Sequence, residues 1–388
     1  MRRFLPKLSI VSLVFIIFSF SIIVSVFIVD TVLFADRSKS AALDEGKHEL
    51  QLHESVFRQF FTESSNTLHA LQDSESFLEY RQGVRSDTHV KSVFLALINS
   101  NSQIMQLRYI DKNGMERLRT ERIKNPGEAP VWIERQDLQN KADRYYFADS
   151  VNKPLNQVWF SDLDLNIEHG KVEVPYRPTV RAMLPLEKDG HFDGILIINY
   201  FAQFLLDSLQ DAWVFEHTLV DSQGFPLIYD KDVNKNWGRY LSPQFHLRTI
   251  FPERWKAILE SEFYRGDSFI AKRFDLPIVN SLTLILKIKP SYLQEVQSSR
   301  EREFLLDSLI VFLLALVASL FIGRILKRLQ SKVFGFDRQI RLASKAAHLG
   351  FWELDLQNNL YTFDDTYFAL LGGRPKRPEA TSRRLNSF

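Results

Sequence analysis

Tyr109-Ile110-Asp111-Lys112-Asn113-Gly114-Met115-Glu116 reads as a strand running into a tight Asp-x-x-Gly turn, and the same arrangement returns at Leu219-Val220-Asp221-Ser222-Gln223-Gly224-Phe225-Pro226. The glycine supplies the positive φ that a reversing strand needs. Each copy is followed by two further stretches of strand character. These are 179–186 and 194–200 about Lys188-Asp189-Gly190 after the first, then 268–274 and 282–288 after the second. One hairpin-rich unit therefore occurs twice. Upstream of the first copy the period changes. Leu50, Phe57, Phe61, Leu68, Leu71 and Leu78 recur at spacings of a single helix face, which predicts a long stalk helix. Val90, Val93, Phe94, Leu97 and Ile98 predict a second helix before the first strand.

Two apolar runs bracket this region. From Leu8 to Val29 there is no charged residue, a length sufficient to cross a bilayer as a helix and longer than the apolar core of a cleaved signal peptide. The second run, Phe304 to Gly323, has Asp307 as its only charge, one turn from its start, within reach of the headgroups. Arg2, Arg3 and Lys7 precede the first span, and Arg324, Lys327, Arg328 and Lys332 follow the second. Positive flanks mark the cytoplasmic side, so both termini are expected there, with residues 31–303 periplasmic or extracellular and the chain multi-pass in the membrane.

Composition narrows the chemistry. The 388 residues are 45% hydrophobic and 25% charged, with 49 Lys+Arg against 47 Asp+Glu and no cysteine. These proportions are globular and exclude disordered or low-complexity classes. Without cysteine there is no disulfide, thiolate metal site or cysteine nucleophile. A net charge of +2 leaves no footprint for nucleic acid, and none is expected as a partner.

Asp143-Arg144-Tyr145-Tyr146-Phe147, then Ser161-Asp162-Leu163-Asp164-Leu165-Asn166, Glu173-Val174-Pro175-Tyr176, Arg181 and Gly194-Ile195-Leu196-Ile197-Ile198-Asn199-Tyr200 resemble the double-Cache family of paired PAS-like extracytoplasmic sensors. Leu219 to Gly224 with Asn236-Trp237-Gly238 resembles the second, membrane-proximal module of that family. The resemblance spans about residues 40 to 290 and implies a bacterial inner membrane as the location. It implies a fold of class α/β, more narrowly α+β: two transmembrane helices flanking a long stalk helix and two tandem PAS-like antiparallel-sheet modules. The expected boundaries are 8–29 for the first span, 35–100 for stalk and packing helices, 101–210 and 211–290 for the two modules, and 304–323 for the second span.

An arginine with flanking aromatic residues suits a small carboxylate, because guanidinium offers planar bidentate donors. The resemblance places Arg144 at the family's carboxylate-binding arginine and Tyr146 and Phe147 at its aromatic pair. It places Asn199 where amino-acid receptors carry an ammonium-binding aspartate. Asp164, Tyr176 and Arg181 complete the expected ligand set. Asn199 has no charge for an ammonium group, so the expected ligand is a carboxylate or another neutral-to-anionic small molecule. The alternative is that Arg144 pairs internally with Asp143 or Asp164 and that the aromatic residues are core.

No metal or cofactor is expected. A weaker alternative is that Asp162, Asp164, Asn166 and Glu173 occupy positions one, three, five and twelve of a calcium-loop pattern. Ile167 stands where that loop requires glycine, which favours a polar hairpin turning at Gly170. Among the nine histidines, His48 and His53 are five apart and share no helix face.

Beyond the second span, residues 338–372 read as a lead-in helix, a strand from Gly350, a turn at Gln357-Asn358-Asn359, a second strand and a short helix ending at Gly372. This resembles the opening third of a PAS domain as found after the last span of sensor kinases and diguanylate cyclases. Residues 373–388 form a basic tail without strand pattern. His348 lacks a phosphoacceptor context, and no output enzyme is expected within the chain. The expected function is a transmembrane receptor that senses a small extracytoplasmic molecule, in a chain lacking its output domain. Alternatives are the sensory portion of a histidine kinase or cyclase whose catalytic region lies elsewhere, and a membrane-anchored scaffold or adhesion protein. Expected partners are a small-molecule ligand, a carboxylate in the first instance, the membrane, a second copy in a homodimer, and a cytoplasmic signalling partner.

Overall fold

The computed structural model describes residues 10–122, 125–168, 171–209, 213–355 and 360–372. It divides into two units, Leu33–Ser298 and a second made of Met1–Val32 with Ser299–Phe388. The expected turns at Gly170 and Gln357-Asn358-Asn359, and the tail 373–388, lie outside the described residues.

Three helices open the first unit. Helix α1 (Ile10–Gln72) carries Leu50, Phe57, Phe61, Leu68 and Leu71 on one buried face, as their spacing requires. It stops earlier than the periodicity suggests. Ser74 turns its hydroxyl back to the Leu71 carbonyl, and the chain restarts as α2 (Glu75–Arg81) with Phe77 buried instead of Leu78. Hydroxyl groups that bond local carbonyls compete with helix continuation. Helix α3 (Asp87–Ser100) buries Val90, Phe94 and Ile98 completely.

The first module then forms from β1 (Ile104–Asp111), β2 (Glu116–Glu121), β3 (Val131–Trp132), α4 (Tyr145–Val151), β4 (Trp159–Phe160), β5 (Asp164–Leu165), β6 (Ile167–Glu168), β7 (Lys171–Val172), β8 (Pro178–Lys188), β9 (His191–Phe201) and α5 (Gln203–Asp207). Its antiparallel sheet has the order β3-β2-β1-β9-β8-β4, with β5 also on β8, while β6 pairs with β7. The second module contains β10 (Phe215–Val220), β11 (Pro226–Tyr229), α6 (Gly238–Leu241), α7 (Leu247–Ile250), α8 (Trp255–Glu260), β12 (Phe263–Arg265), β13 (Phe269–Arg273) and β14 (Thr283–Ile288). Its order is β11-β10-β14-β13-β12. The path β2-β1-β9-β8 thus repeats as β11-β10-β14-β13.

The repeat extends to the atoms of the two turns. Asp111 accepts from the backbone N–H of Asn113 and Met115 through one carboxylate oxygen, and its carbonyl accepts from Gly114. Asp221 does the same for Gln223, Phe225 and Gly224. Gly114 and Gly224 have φ of 79° and 86°, and a β-bulge follows the same strand position in each, at Tyr109/Ile110 and Leu219/Val220. An arginine grips the free carboxylate oxygen in both, Arg117 in the first and Arg239 in the second.

One face of each sheet packs against the helices. Phe60 meets Tyr200 with ring centroids 5.0 Å apart, Phe77 meets Tyr109 at 5.3 Å, and in the second module Phe57 meets Phe274 at 5.6 Å. The other face of the first sheet is split. Ile110, Met183, Ile195 and Ile197 are covered by α4, whereas the neighbouring row across β8, β9, β1 and β2 consists of Arg181, Asn199, Gln106 and Glu121, paired in register. Arg181, Asn199 and Gln106 of that row are the floor of the site described below.

The second unit holds the apolar helices. The stretch Leu13–Asp30 of α1 and the stretch Pro290–Leu329 of α9 (Pro290–Ala347) are each long and apolar enough to cross a membrane. Their leucine, valine, isoleucine and phenylalanine side chains are mostly exposed, which suits lipid and not water. Within the unit Phe27 meets Phe304 at 5.0 Å, and Arg300 pairs with Asp30 at 3.3 Å. The chain continues into a hairpin of β15 (Trp352–Asp355) and β16 (Leu360–Phe363), then α10 (Asp365–Leu370), capped by Asp364 accepting from the Tyr367 amide.

Candidate functional site

A cavity of about 390 Å³ opens over the polar row of the first sheet. Arg108, Arg119, Lys141, Arg144 and Arg181 line it, and Asp143 is the single carboxylate in its wall. Glu116 and Glu121 lie behind it. Glu116 is fully buried, 3.5 Å from Arg108 and 3.4 Å from Arg119, while Glu121 pairs with Arg119. Five cations therefore face three carboxylates, and the wall is electropositive.

Arg108 is 4% exposed and held from three sides. It donates to Asn199 Oδ1 at 2.9 Å and to the Tyr146 hydroxyl at 3.2 Å, and it pairs with Glu116. Burial pushes the Tyr146 phenol up, but the charge and hydrogen bond of Arg108 outweigh it and the net shift is downward. Asn199 in turn donates to Gln106 at 3.1 Å. Arg181 donates to Asn166 Oδ1 at 3.0 Å and to the Tyr145 hydroxyl at 3.3 Å. The Nε–H groups of Arg108 and Arg181 are both buried without a hydrogen-bond partner. Buried donors are normally satisfied, and both arginines border the cavity.

Arg144 precedes α4, whose first amides, from Phe147 and Ala148, bond to its carbonyl. Its guanidinium is left to the cavity. Among the described residues it forms no ion pair, with Asp143 and Asp164 included. A second cavity, of about 490 Å³, shares Asp143, Arg144, Ile167 and Arg181 with the first and adds Asp149, Asp162 and Asp164 to its wall.

Of the residues named from sequence, Arg144, Tyr146, Arg181 and Asn199 come together on the first cavity. Phe147 does not. It points into the apolar half of that face, among Ile110, Ile195 and Ile197, with the Phe192 ring 5.9 Å away. Tyr176 is 47% exposed and lines neither cavity. Asp164 is directed to the second module, where it accepts from the Tyr240 hydroxyl, and borders only the second cavity of the two. The four residues of the calcium-loop pattern are taken up by other partners or, for Asn166 donating to Glu173 at 2.9 Å, by each other. Asp162 accepts from Asn280 at 2.9 and 2.6 Å, Asn166 from Arg181, and Glu173 pairs with Arg177 at 2.7 Å. Arg108, Arg119 and Lys141 were not anticipated. The signal was present in β1, where Gln106 and Arg108 interrupt an otherwise apolar strand on alternate positions of one face.

The sequence model described as the bacterial histidine kinase sensor domain matches residues 40–269, more than half of the chain. The chain belongs to this sensor-domain family. Its fold is shared with a domain of a sensory box/GGDEF family protein from Vibrio parahaemolyticus, at a TM-score of 0.57 and 18% identity over 66% of this chain and 99% of that one. The extracellular domain of the histidine kinase vpHK1S-Z8 gives 0.57 and 17% over 67% and 95%. The sensory domain of the Campylobacter jejuni chemoreceptor Tlp3 with isoleucine bound is a more distant likeness, at 0.45 and 12% over 67% and 98%. No curated protein matches the sequence. The neighbours are Cache-type sensory domains, so the resemblance read from residues 143–200 and 219–238 holds at the level of fold. The chain carries the sensory domain of a bacterial receptor.

Proposed function

We propose that this sensory domain binds a small carboxylate-bearing metabolite in the cavity of the first module, and that binding is relayed through α1 and α9 to the cytoplasm. The observation that carries the reading is the electropositive wall, with Arg144 in no ion pair among the described residues. A carboxylate suits that wall, because guanidinium offers it bidentate and charge-assisted bonds that gain strength in a partly dry site. Relay requires only that the ligand prefer one of two arrangements of the helices. Both termini are cytoplasmic in this reading, and residues 31–303 are exported.

A second ligand class is favoured by one observation. Asp143 and Asp149 border the adjoining cavity and supply the charge for an ammonium group that Asn199 lacks. A zwitterion would then lie across the wall formed by Arg144 and Arg181. A thermal-shift screen of organic acids and amino acids separates the two. Ligand at a hundredfold excess over its dissociation constant should add about 2.7 kcal/mol to stability. Arg144→Ala should abolish the shift and leave the ligand-free melting temperature in place, since the bonds from Phe147 and Ala148 are to its backbone carbonyl. A retained shift would remove Arg144 from the site.

A further inference from the structure

The second module contains a cluster that the cavity does not use. Glu49 and His53 lie four apart on one face of α1, and His217 stands on β10 opposite them. One ligand atom from each of the three lies within 4.8 Å of the other two. His217 is fully buried and His53 is 8% exposed, while the Glu49 side chain at 24% leaves a path to solvent.

The hydrogen bonds fix what this cluster lacks. Asp230 sits 3.0 Å from His217 Nδ1 and also accepts from the His217 amide, so the Nδ1 proton is directed to a carboxylate. That leaves Nε2 as the atom 3.0 Å from Glu49 Oε1. A lone pair facing a carboxylate oxygen at that distance requires a positive centre between them. His53 Nε2 approaches the same oxygen at 3.5 Å, yet it is buried and has no hydrogen-bond partner. One proton bridges one of these contacts. A single metal ion bridges both.

We propose that Glu49, His53 and His217 form a site for a divalent first-row transition ion, zinc in the first instance. The donor set of two imidazoles and one carboxylate suits such an ion and not calcium or magnesium, which select oxygen. Tetrahedral zinc with bonds of about 2.0–2.1 Å separates its ligand atoms by about 3.4 Å. The two contacts to Glu49, 3.0 and 3.5 Å, bracket that edge. Asp230 behind His217 is the outer carboxylate that orients a ligating imidazole and raises its basicity. A fourth position remains for water on the exposed side of Glu49. The ion would clasp α1 to β10, and so bias the position of the helix that carries the first apolar span.

The test uses the full chain without an affinity tag, purified in detergent and stripped with a chelator. Zinc titrated against a chromogenic competitor should bind one ion per chain and raise the melting temperature. Cobalt in its place should give the intense visible bands of a tetrahedral site, with nitrogen and oxygen neighbours at about 2.0 Å by X-ray absorption. His53→Ala leaves the His217, Asp230 and Glu49 contacts in place, and should weaken binding at least tenfold with the stripped protein still folded. Glu49→Gln should do the same. Should either variant fail to fold, the cobalt spectrum of the unmodified chain decides. A featureless spectrum, a stoichiometry below one, or undiminished binding in both variants overturns the proposal and leaves a protonated His217 held between two carboxylates.

Discussion

Arg108 and Arg144 face the same cavity with opposite energetics. Arg108 neutralises Glu116, which is wholly enclosed, so removing its guanidinium strands a buried carboxylate with Arg119 as its remaining cation. Breaking a buried pair from one side costs about 3–5 kcal/mol. Arg108→Ala should therefore lower the unfolding free energy of the ligand-free protein by that amount, whereas Arg144→Ala should change it by no more than about 0.5 kcal/mol. Urea denaturation of both variants checks this, and equal midpoints would mean that Glu116 is not dependent on Arg108. The contrast also explains which residues were legible. Arg144 stands in an aromatic motif, Asp143 to Phe147, so sequence alone could single it out. Arg108 acquires its importance from Asn199, Tyr146 and Glu116, which are 91, 38 and 8 residues away in the chain. A local pattern shows a polar residue in an apolar strand without showing what it meets. The same limit hid Glu49 and His53, whose spacing is helical but whose third partner, His217, lies on a distant strand. Phe147 and Tyr146 are adjacent in sequence, yet only the structure separates the one in the core from the one on the cavity.

At the level of elements, strands and turns were readable because their signals are local. The Asp-x-x-Gly turns, the hairpin at Asp189 and Gly190 with both φ positive, and the α3 periodicity need few residues each. The contacts that join the two modules are long-range and left no trace. Asp164 of β5 accepts from Tyr240 of α6, Asp162 from Asn280, and Phe160 bridges Ile278. Asp164 lends this seam a pH dependence. Burial raises its pKa, and the bonds from Tyr240 and the Leu165 amide, with the charges of Arg239 and Arg181, offset only part of that rise. The native state then holds this proton to higher pH than the unfolded chain does. Stability is consequently lost as pH climbs from the ordinary carboxylate range, about 4, through the raised native value, and the loss is complete above it. Asp164→Asn removes the titration while keeping an acceptor for Tyr240. The stability of the variant minus that of the parent should therefore become more favourable between about pH 4 and pH 7. Melting curves across that range test it, and a difference independent of pH would show that Asp164 titrates as it does in water.

For the whole molecule the two apolar helices carry the argument. Their detection needed only length and composition, since each is long and apolar enough to cross a membrane. The unit Leu33–Ser298 buries its own core, and its relatives in the Vibrio protein and vpHK1S-Z8 are isolated domains of matching extent. The proposed topology follows from the flanks and not from the fold. Arg2, Arg3 and Lys7 stand before the first span, and Arg324, Lys327, Arg328 and Lys332 after the second. Between the spans, Asp30 and Asp36 offset Arg37 and Lys39 at one end, and Glu301 and Glu303 offset Arg300 and Arg302 at the other. Lysine and arginine bias within short flanks sets orientation, so both basic clusters should remain in the cytoplasm. Reporters active only outside the cytoplasm should give signal when fused after Arg37 and none when fused after Arg338, with cytoplasmic reporters giving the reverse. Equal signals at the two positions would mean that the second apolar helix does not cross, and the cavity about Arg144 could then not report an external ligand through α9. Shifting Arg324, Lys327, Arg328 and Lys332 to glutamine should weaken the orientation at the second span and leave the first in place, because the first span with Arg2, Arg3 and Lys7 dominates orientation.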